Sequence, residues 1–553
     1  MFKLRIVFLL FAFFFLFIII RLFYIQIIDP LSSAANGYLK YKKILPQRGK
    51  IYDRNYEPIA INQSHYRLFI EPKKMKDKDK LVKGLEEVLK LGEATLEAKI
   101  DETKVWLAVT SGLTKEQKQK IERYKFPEVG FEDELDRYYP EASLAAHLVG
   151  FVGKNQKNED IGYFGVEGYY DKELGGLPGF LKAERDLLGR PILLGNQEKI
   201  EPENGHDVIL TIDKSVQEII KQKLKNGVER YKAKEGCVIV ADPFTMEIVA
   251  LACLPDFDVE NYFKFSESYF TNHAISSVYE PGSTFKPLVV AAALQEKKIK
   301  SDDFYNEKGP VQFGQYQIKT WNDKYEGKIS ITRILEKSSN VGMVFIGEKL
   351  GQKNIISYLK KYGFGDLTGI DLQGEAGGVV KQESDFKAID YATATFGQGI
   401  GVTPMQMITA FSALVNGGEL LKPHVVKKII DGDEERIVGK REVRKILNER
   451  TSEIIKRMLV ATVENGEYKW DRPKGYRIGG KTGTAQIPVQ GKYDASKTIA
   501  SFIGFAPADK PRFIAIVILK EPKTSIYGSE TAAPLFFEIA KDLLVYYNIA
   551  PVQ

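Results

Sequence analysis

Ile6 to Ile20 is an unbroken apolar run, and past a single Arg21 the segment Leu22 to Ile28 continues it. The stretch, about 23 residues in all, is long enough to cross a bilayer as a helix. Phe, Leu and Ile on every face leave such a helix no polar side to turn to water. Lys3 and Arg5 precede the run, and apart from Arg21 no basic residue follows until Lys40. The positive-inside bias therefore puts the amino terminus in the cytoplasm and everything beyond Asp29-Pro30 outside. The competing reading is a cleaved signal peptide, with Ser33-Ala34-Ala35 offering small residues at a cleavage position. The run is longer than a usual signal core, which favours an uncleaved single-pass anchor.

The rest of the 553 residues is ample for several domains. Net charge is only +6, with Lys and Glu interspersed, so no nucleic-acid partner is indicated. The five His are scattered and no Cys/His cluster has metal-ligand spacing, so no metal or cofactor is expected. Short strand-like stretches such as Tyr66–Ile70 alternate with Lys/Glu-rich helical ones such as Lys80–Leu91. Asn196–Gly205, polar and holding Pro202, reads as a boundary. Beyond it come a strand, His206–Asp213, a helix, Ser215–Lys225, and a hairpin, Gly236–Ala241 with Glu247–Leu254. Late strands, Ile499–Gly504 and Arg512–Leu519, precede a helix over Ala533–Tyr547. Strands at both ends around a helix-rich middle predict an α+β fold whose sheet joins early and late segments. Cys237 and Cys253 flank the hairpin and become cross-strand neighbours if it pairs symmetrically. The tendency of buried Cys to act as a small hydrophobe favours free thiols.

Three polar motifs stand in order in this body: Ser283-Thr284-Phe285-Lys286, Ser338-Ser339-Asn340 and Lys481-Thr482-Gly483. Glu280-Pro281-Gly282 is a turn signal, and Pro287 is tolerable only in a helix's opening turn, so Ser283 falls at a helix start. Lys286 lies on the same face one turn on. A serine hydroxyl needs a neighbour to take its proton, and a lysine can do so only with a depressed pKa. Spacing alone proves little: Ser357/Lys360 and Ser384/Lys387 also match, and each reads as an exposed pair. Ser338 can relay a proton and Asn340 can bind a substrate amide, although taken alone the tripeptide reads better as an ordinary helix N-cap. Lys481, Thr482 and Thr484 can hold a carboxylate on a strand that Gly483 keeps open, and the Thr484 and Ser283 amides are candidate oxyanion donors. A bland Gly-rich turn is the alternative. A Ser-His-Asp hydrolase fits poorly, since Ser283 lacks a Gly-x-Ser-x-Gly elbow and His273 has no evident partner pattern.

This order of motifs behind an amino-terminal anchor resembles the class B penicillin-binding proteins, the monofunctional peptidoglycan D,D-transpeptidases. Arg48-Gly49-Lys50-Ile51-Tyr52-Asp53-Arg54-Asn55 resembles the family's first pedestal motif, with Tyr56 where a Gly is usual. Arg137-Tyr138-Tyr139-Pro140 and Gly165-Val166-Glu167-Gly168 resemble later pedestal motifs, mainly structural in the family. Phe396-Gly397-Gln398-Gly399 and Gly528–Pro534 resemble segments around the cleft. Val278-Tyr279-Glu280 and the compact length lean towards the cell-division (septal) branch over the elongation branch.

The resemblance implies a serine β-lactamase-like transpeptidase domain of mixed helices on an antiparallel sheet, an elongated pedestal and one transmembrane helix. The expected division is 1–30 for cytoplasmic tip and anchor, 31–205 for the pedestal (dimerisation-like) domain and 206–553 for the transpeptidase domain. Ser283 would be acylated by the penultimate D-Ala of a stem peptide. Lys286 would be the base, Ser338 the relay and Asn340 a substrate contact; Lys481, Thr482 and Thr484 would recognise the terminal carboxylate. β-Lactams would mimic the donor. Implied partners are a membrane glycosyltransferase of the SEDS family and other divisome membrane proteins, at the bacterial cytoplasmic membrane. The rivals are a D,D-carboxypeptidase or β-lactamase, and a silent β-lactam sensor or division scaffold. No Glu-x-x-Leu-Asn segment of the class A deacylation type lies between Ser338 and Lys481, and nothing breaks the catalytic set.

Overall fold

The computed structural model describes residues 2–24, 39–141, 143–184, 197–466, 472–489 and 492–551. Asp29-Pro30, Ser33-Ala34-Ala35 and Asn196 lie outside them. The apolar run forms one helix, Phe2–Phe23, whose 22 residues span about 33 Å. It is long and apolar enough to cross a membrane, and its described side chains are exposed.

The chain forms two compact units, Met1–Gly49 with Lys172–His206, and Lys50–Asp171 with Asp207–Gln553. In the first, strands Leu39–Ile44, Gly179–Glu184 and Gln197–Ile200 make an antiparallel sheet. The polar stretch expected as a plain boundary thus contains an edge strand. On an exposed edge the backbone ladder suffices and no apolar alternation is needed to mark it.

In the second unit, a seven-stranded sheet carries Leu107–Leu113 and Val129–Tyr138 on Pro58–Ile70. It continues through Ile51–Tyr52 and Asp207–Leu210 to Val426–Asp431 and Glu434–Ile437. The expected strand at residues 206–213 is shorter because Asp213 turns to cap the next helix, Lys214–Tyr231, accepting from the Ser215 and Val216 amides. The segments that resemble pedestal motifs supply internal braces. The buried Asp53 carboxylate accepts from the Asn55, Glu57 and Lys214 amides. Tyr56 has φ +66°, the left-handed region that glycine favours. Arg137 and Glu167 pair at 2.7 Å with side chains 5% and 0% exposed.

The second sheet is antiparallel in the order Ile248–Leu254, Glu235–Ala241, Phe513–Lys520, Lys492–Ala506, Gly479–Val489. Early and late segments meet in its centre, as the α+β reading requires. Val216, Ile220 and Leu224 of one helix and Leu535, Phe536 and Ile539 of Ala532–Tyr546 bury one face. The hairpin pairs symmetrically, so Cys237 faces Cys253 directly; here the two are joined as a disulfide and are not free thiols. Helix Glu449–Asn465 packs against the edge strand Gly479–Val489 and against helix Lys286–Gln295, on which Asn340–Leu350 packs in turn.

Candidate active site

The Ser283 turn is short because Pro287 cannot donate within a helix: Gly282–Phe285 makes a single 3₁₀ turn that runs straight into Lys286–Gln295. Ser283 is half-buried, whereas Thr284, Phe285 and Lys286 are buried. Two glycines let backbone close around this turn. Gly397, at φ +76°, leaves a β-carbon position only 2.3 Å from the Gly282 carbonyl oxygen, and it accepts the Gly282 amide. Gly483 is pressed on the other side, its β-carbon position 2.9 Å from Thr284 Cγ2 and 3.1 Å from the Pro281 oxygen. The Lys-Thr-Gly strand therefore lies directly against the Ser283 turn. It is the edge strand of its sheet, with one row of peptide groups facing outward.

Lys286 is fully buried. Its amine donates to the Ser338 carbonyl at 2.6 Å and to Asn340 Oδ1 at 2.8 Å, with Ser338 Oγ at 3.2 Å. Burial first, and the Lys481 cation second, hold its pKa well below the ordinary lysine value. A neutral amine has two hydrogens, and the two shortest contacts use both. Its lone pair is left for a hydroxyl proton.

The three residues of Ser338-Ser339-Asn340 divide between a helix cap and contacts to Lys286. Ser339 is the N-cap of Asn340–Leu350, accepting the Gly342 amide at 2.9 Å. The flanking Ser338 and Asn340 turn to Lys286, and Asn340 Nδ2 also donates to the Lys319 carbonyl at 3.0 Å. Lys481 is buried, with its amine 3.2 Å from the Thr482 carbonyl and from Thr482 Oγ1. Thr482 and Thr484 are half-buried, and Thr484 Oγ1 accepts the Gly528 amide at 2.9 Å. All eight residues singled out in the sequence, Ser283, Lys286, Ser338, Asn340, Lys481, Thr482, Gly483 and Thr484, thus sit on three adjoining segments. The competing pairs do not join them. Ser357 and Lys360 lie on the helix Gln352–Lys361, and Ser384 donates to Asp385.

Sequence reasoning missed two features beside the site. Glu280, read as a turn residue and as part of the segment that leans towards the cell-division branch, accepts from the Gly399 amide at 3.0 Å and from the Tyr493 hydroxyl at 3.2 Å. Burial raises the Glu280 pKa, and burial followed by the Glu280 charge pushes Tyr493 up to about 12. Nothing local marks Tyr493 as its partner. The second is Glu307, whose carboxylate reaches Lys337 and Ser339 from another strand.

The description "Penicillin binding protein transpeptidase domain" matches residues 236–542, and "Penicillin-binding Protein dimerisation domain" matches 43–210. Stage V sporulation protein D of Bacillus subtilis is 34% identical over 550 residues, covering 97% of this chain and 84% of the relative. Peptidoglycan D,D-transpeptidase FtsI of Escherichia coli K12 is 29% identical over 97% of this chain and 90% of its own length. Among solved structures, penicillin-binding protein 2X from Streptococcus thermophilus shares the fold at TM-score 0.79 and 24% identity, over 92% of this chain and 80% of that one. A peptidoglycan synthetase from Bifidobacterium adolescentis gives TM-score 0.75 at 26% identity, over 93% and 98%. With its motifs gathered on three adjoining segments and both family domains matched along its length, this chain belongs to the penicillin-binding protein transpeptidases.

Proposed function

We propose that the chain is a serine-type peptidoglycan D,D-transpeptidase that cross-links stem peptides during septal wall synthesis. The observation that carries this reading is the fully buried Lys286 amine, one turn from Ser283 and in contact with Ser338 and Asn340, with its pKa held well below the ordinary lysine value. Lys286 takes the Ser283 proton as Oγ attacks the carbonyl of the penultimate D-Ala. The Oγ–C bond forms, the peptide C–N bond breaks, and the proton passes by way of Ser338 to the leaving D-Ala amine. Asn340 contacts the substrate amide. Lys481, Thr482 and Thr484 bind the terminal carboxylate, which Gly483 lets approach the strand. An amine from a neighbouring stem then attacks the ester carbonyl: the cross-link's C–N bond forms, the Oγ–C bond breaks, and the amine's proton passes by way of Lys286 to Ser283 Oγ. β-Lactams mimic the donor and leave a slowly hydrolysed adduct on Ser283.

The N-terminal helix supports a single-pass anchor with the catalytic body outside the cytoplasmic membrane. The division into anchor (1–30), pedestal (31–205) and transpeptidase domain (206–553) belongs to the same reading, supported by the extents of the two matched families. So does pairing with a SEDS-family glycosyltransferase and divisome proteins. The septal assignment is supported by Val278-Tyr279-Glu280 and by relatives named FtsI.

Incubation of the protein with a fluorescent penicillin tests the reading. A persistent adduct is expected, absent in Ser283→Ala; rapid turnover would instead identify a hydrolase. Cross-linking assayed with a glycan-polymerising partner separates a transpeptidase from a silent sensor.

A further inference from the structure

Behind the Ser338 turn lies a buried charged cluster that the reaction above does not use. Glu307 ends the strand Phe304–Glu307, and its side chain is 0% exposed. Its Oε2 accepts from Lys337 Nζ at 2.7 Å and from the Glu326 amide at 3.1 Å. Its Oε1 accepts the Ser339 hydroxyl. Lys337, 1% exposed, also donates to the Lys324 carbonyl at 3.3 Å. One carboxylate thus grips the residues on either side of Ser338. Ser338 has φ +57°, a left-handed conformation that a non-glycine residue keeps only where its surroundings over-determine it. In that conformation its carbonyl and Oγ both reach Lys286. A buried ion pair is weak evidence for stability, since apolar residues of similar volume would serve as well. What apolar residues would not do is hold positions 337 and 339 to a common point.

We propose that Glu307 is a positioning residue for acylation. By holding Lys337 and Ser339 together it fixes Ser338 in the turn that presents its oxygens to Lys286. The inference rests on the assignment of Ser283 and Lys286 above.

The test uses the full-length protein in detergent, with a fluorescent penicillin in a rapid-mixing experiment that separates pre-covalent binding from the first-order acylation step. In a Glu307→Leu/Lys337→Met double variant that melts as the parent does, the acylation constant is expected to fall on the order of 10²-fold. The pre-covalent dissociation constant is expected to stay unchanged. A parental acylation constant, or a loss confined to binding, overturns the proposal. If the double variant does not fold, Ser339→Ala, which keeps the ion pair, decides by the same two readouts. A parent that forms no Ser283 adduct would instead sink the functional reading, so the two failures are distinct.

Discussion

The amine of Lys286 and the side-chain carbonyl of Asn340, 54 residues apart in the chain, meet at 2.8 Å. With the Ser338 carbonyl this contact occupies the hydrogens of a neutral amine. Protonation at low pH would remove the lone pair that Ser283 needs. Acylation is therefore expected to fall as pH drops through the depressed Lys286 pKa. In Lys481→Met, loss of the repelling cation lets that pKa rise, so the acid limb moves to higher pH. The limb's position in the pH profile of acylation, and not its height, is the readout; an unmoved limb contradicts the electrostatic link.

Ser338→Gly separates chemistry from stability. Glycine relieves the left-handed backbone at φ +57° while increasing the freedom of the unfolded chain. The two effects oppose, and melting is expected to stay within about 1 kcal/mol of the parent. Loss of the hydroxyl proposed as the relay is expected to slow acylation by roughly 10²–10⁴-fold. Calorimetry and penicillin-binding rates on the same sample check both halves.

Gly397→Ala places a methyl 2.3 Å from the Gly282 oxygen, and that neighbour is backbone with nowhere to rotate. The Ser283 turn must shift. Stability is expected to fall by roughly 1–3 kcal/mol, together with a loss of acylation. Denaturant unfolding and adduct formation measure the two effects, and an unperturbed variant would contradict the close packing.

Glu167→Ala removes the ion-pair partner of the buried Arg137 guanidinium, leaving it the Asn62 Oδ1 acceptor among others, and is expected to cost roughly 3–5 kcal/mol. Arg137→Met with Glu167→Leu is expected to recover most of it, because no charge is left without a counterion. Chemical unfolding of all three variants is the check. A double variant no better than the single would locate the loss in packing.

Much of this was legible beforehand because it is local. The Pro-Gly turn and Pro287 set the opening of the Ser283 helix, and alternation and periodicity marked the hairpin strands and the last helix to within one or two residues. The middle of the second motif was not legible. Caps and catalytic hydroxyls use the same residue types, and only the fold shows that Ser339 caps while its neighbours face Lys286. Tyr56 was noted where glycine is usual, but its φ of +66° is a property of the bent chain. Glu307, Tyr493 and the polar edge strand Gln197–Ile200 owe their importance to partners distant in sequence, which leave no periodic trace.

The central pairing of the catalytic sheet has a consequence for how the protein is made. Strand Glu235–Ala241 is bounded on one side by its own hairpin and on the other by Phe513–Lys520. At ordinary synthesis rates the second neighbour emerges on the order of tens of seconds after the first. Ser283, Lys286 and Ser338 are all made early in that interval, but the strand that carries Lys481 has no sheet to join until Lys492–Ala506 has paired with Phe513–Lys520. A nascent or truncated chain therefore holds Ser283 and Lys286 without the neighbouring Lys481 cation. Reactivity is expected only when nearly the whole polypeptide has been completed.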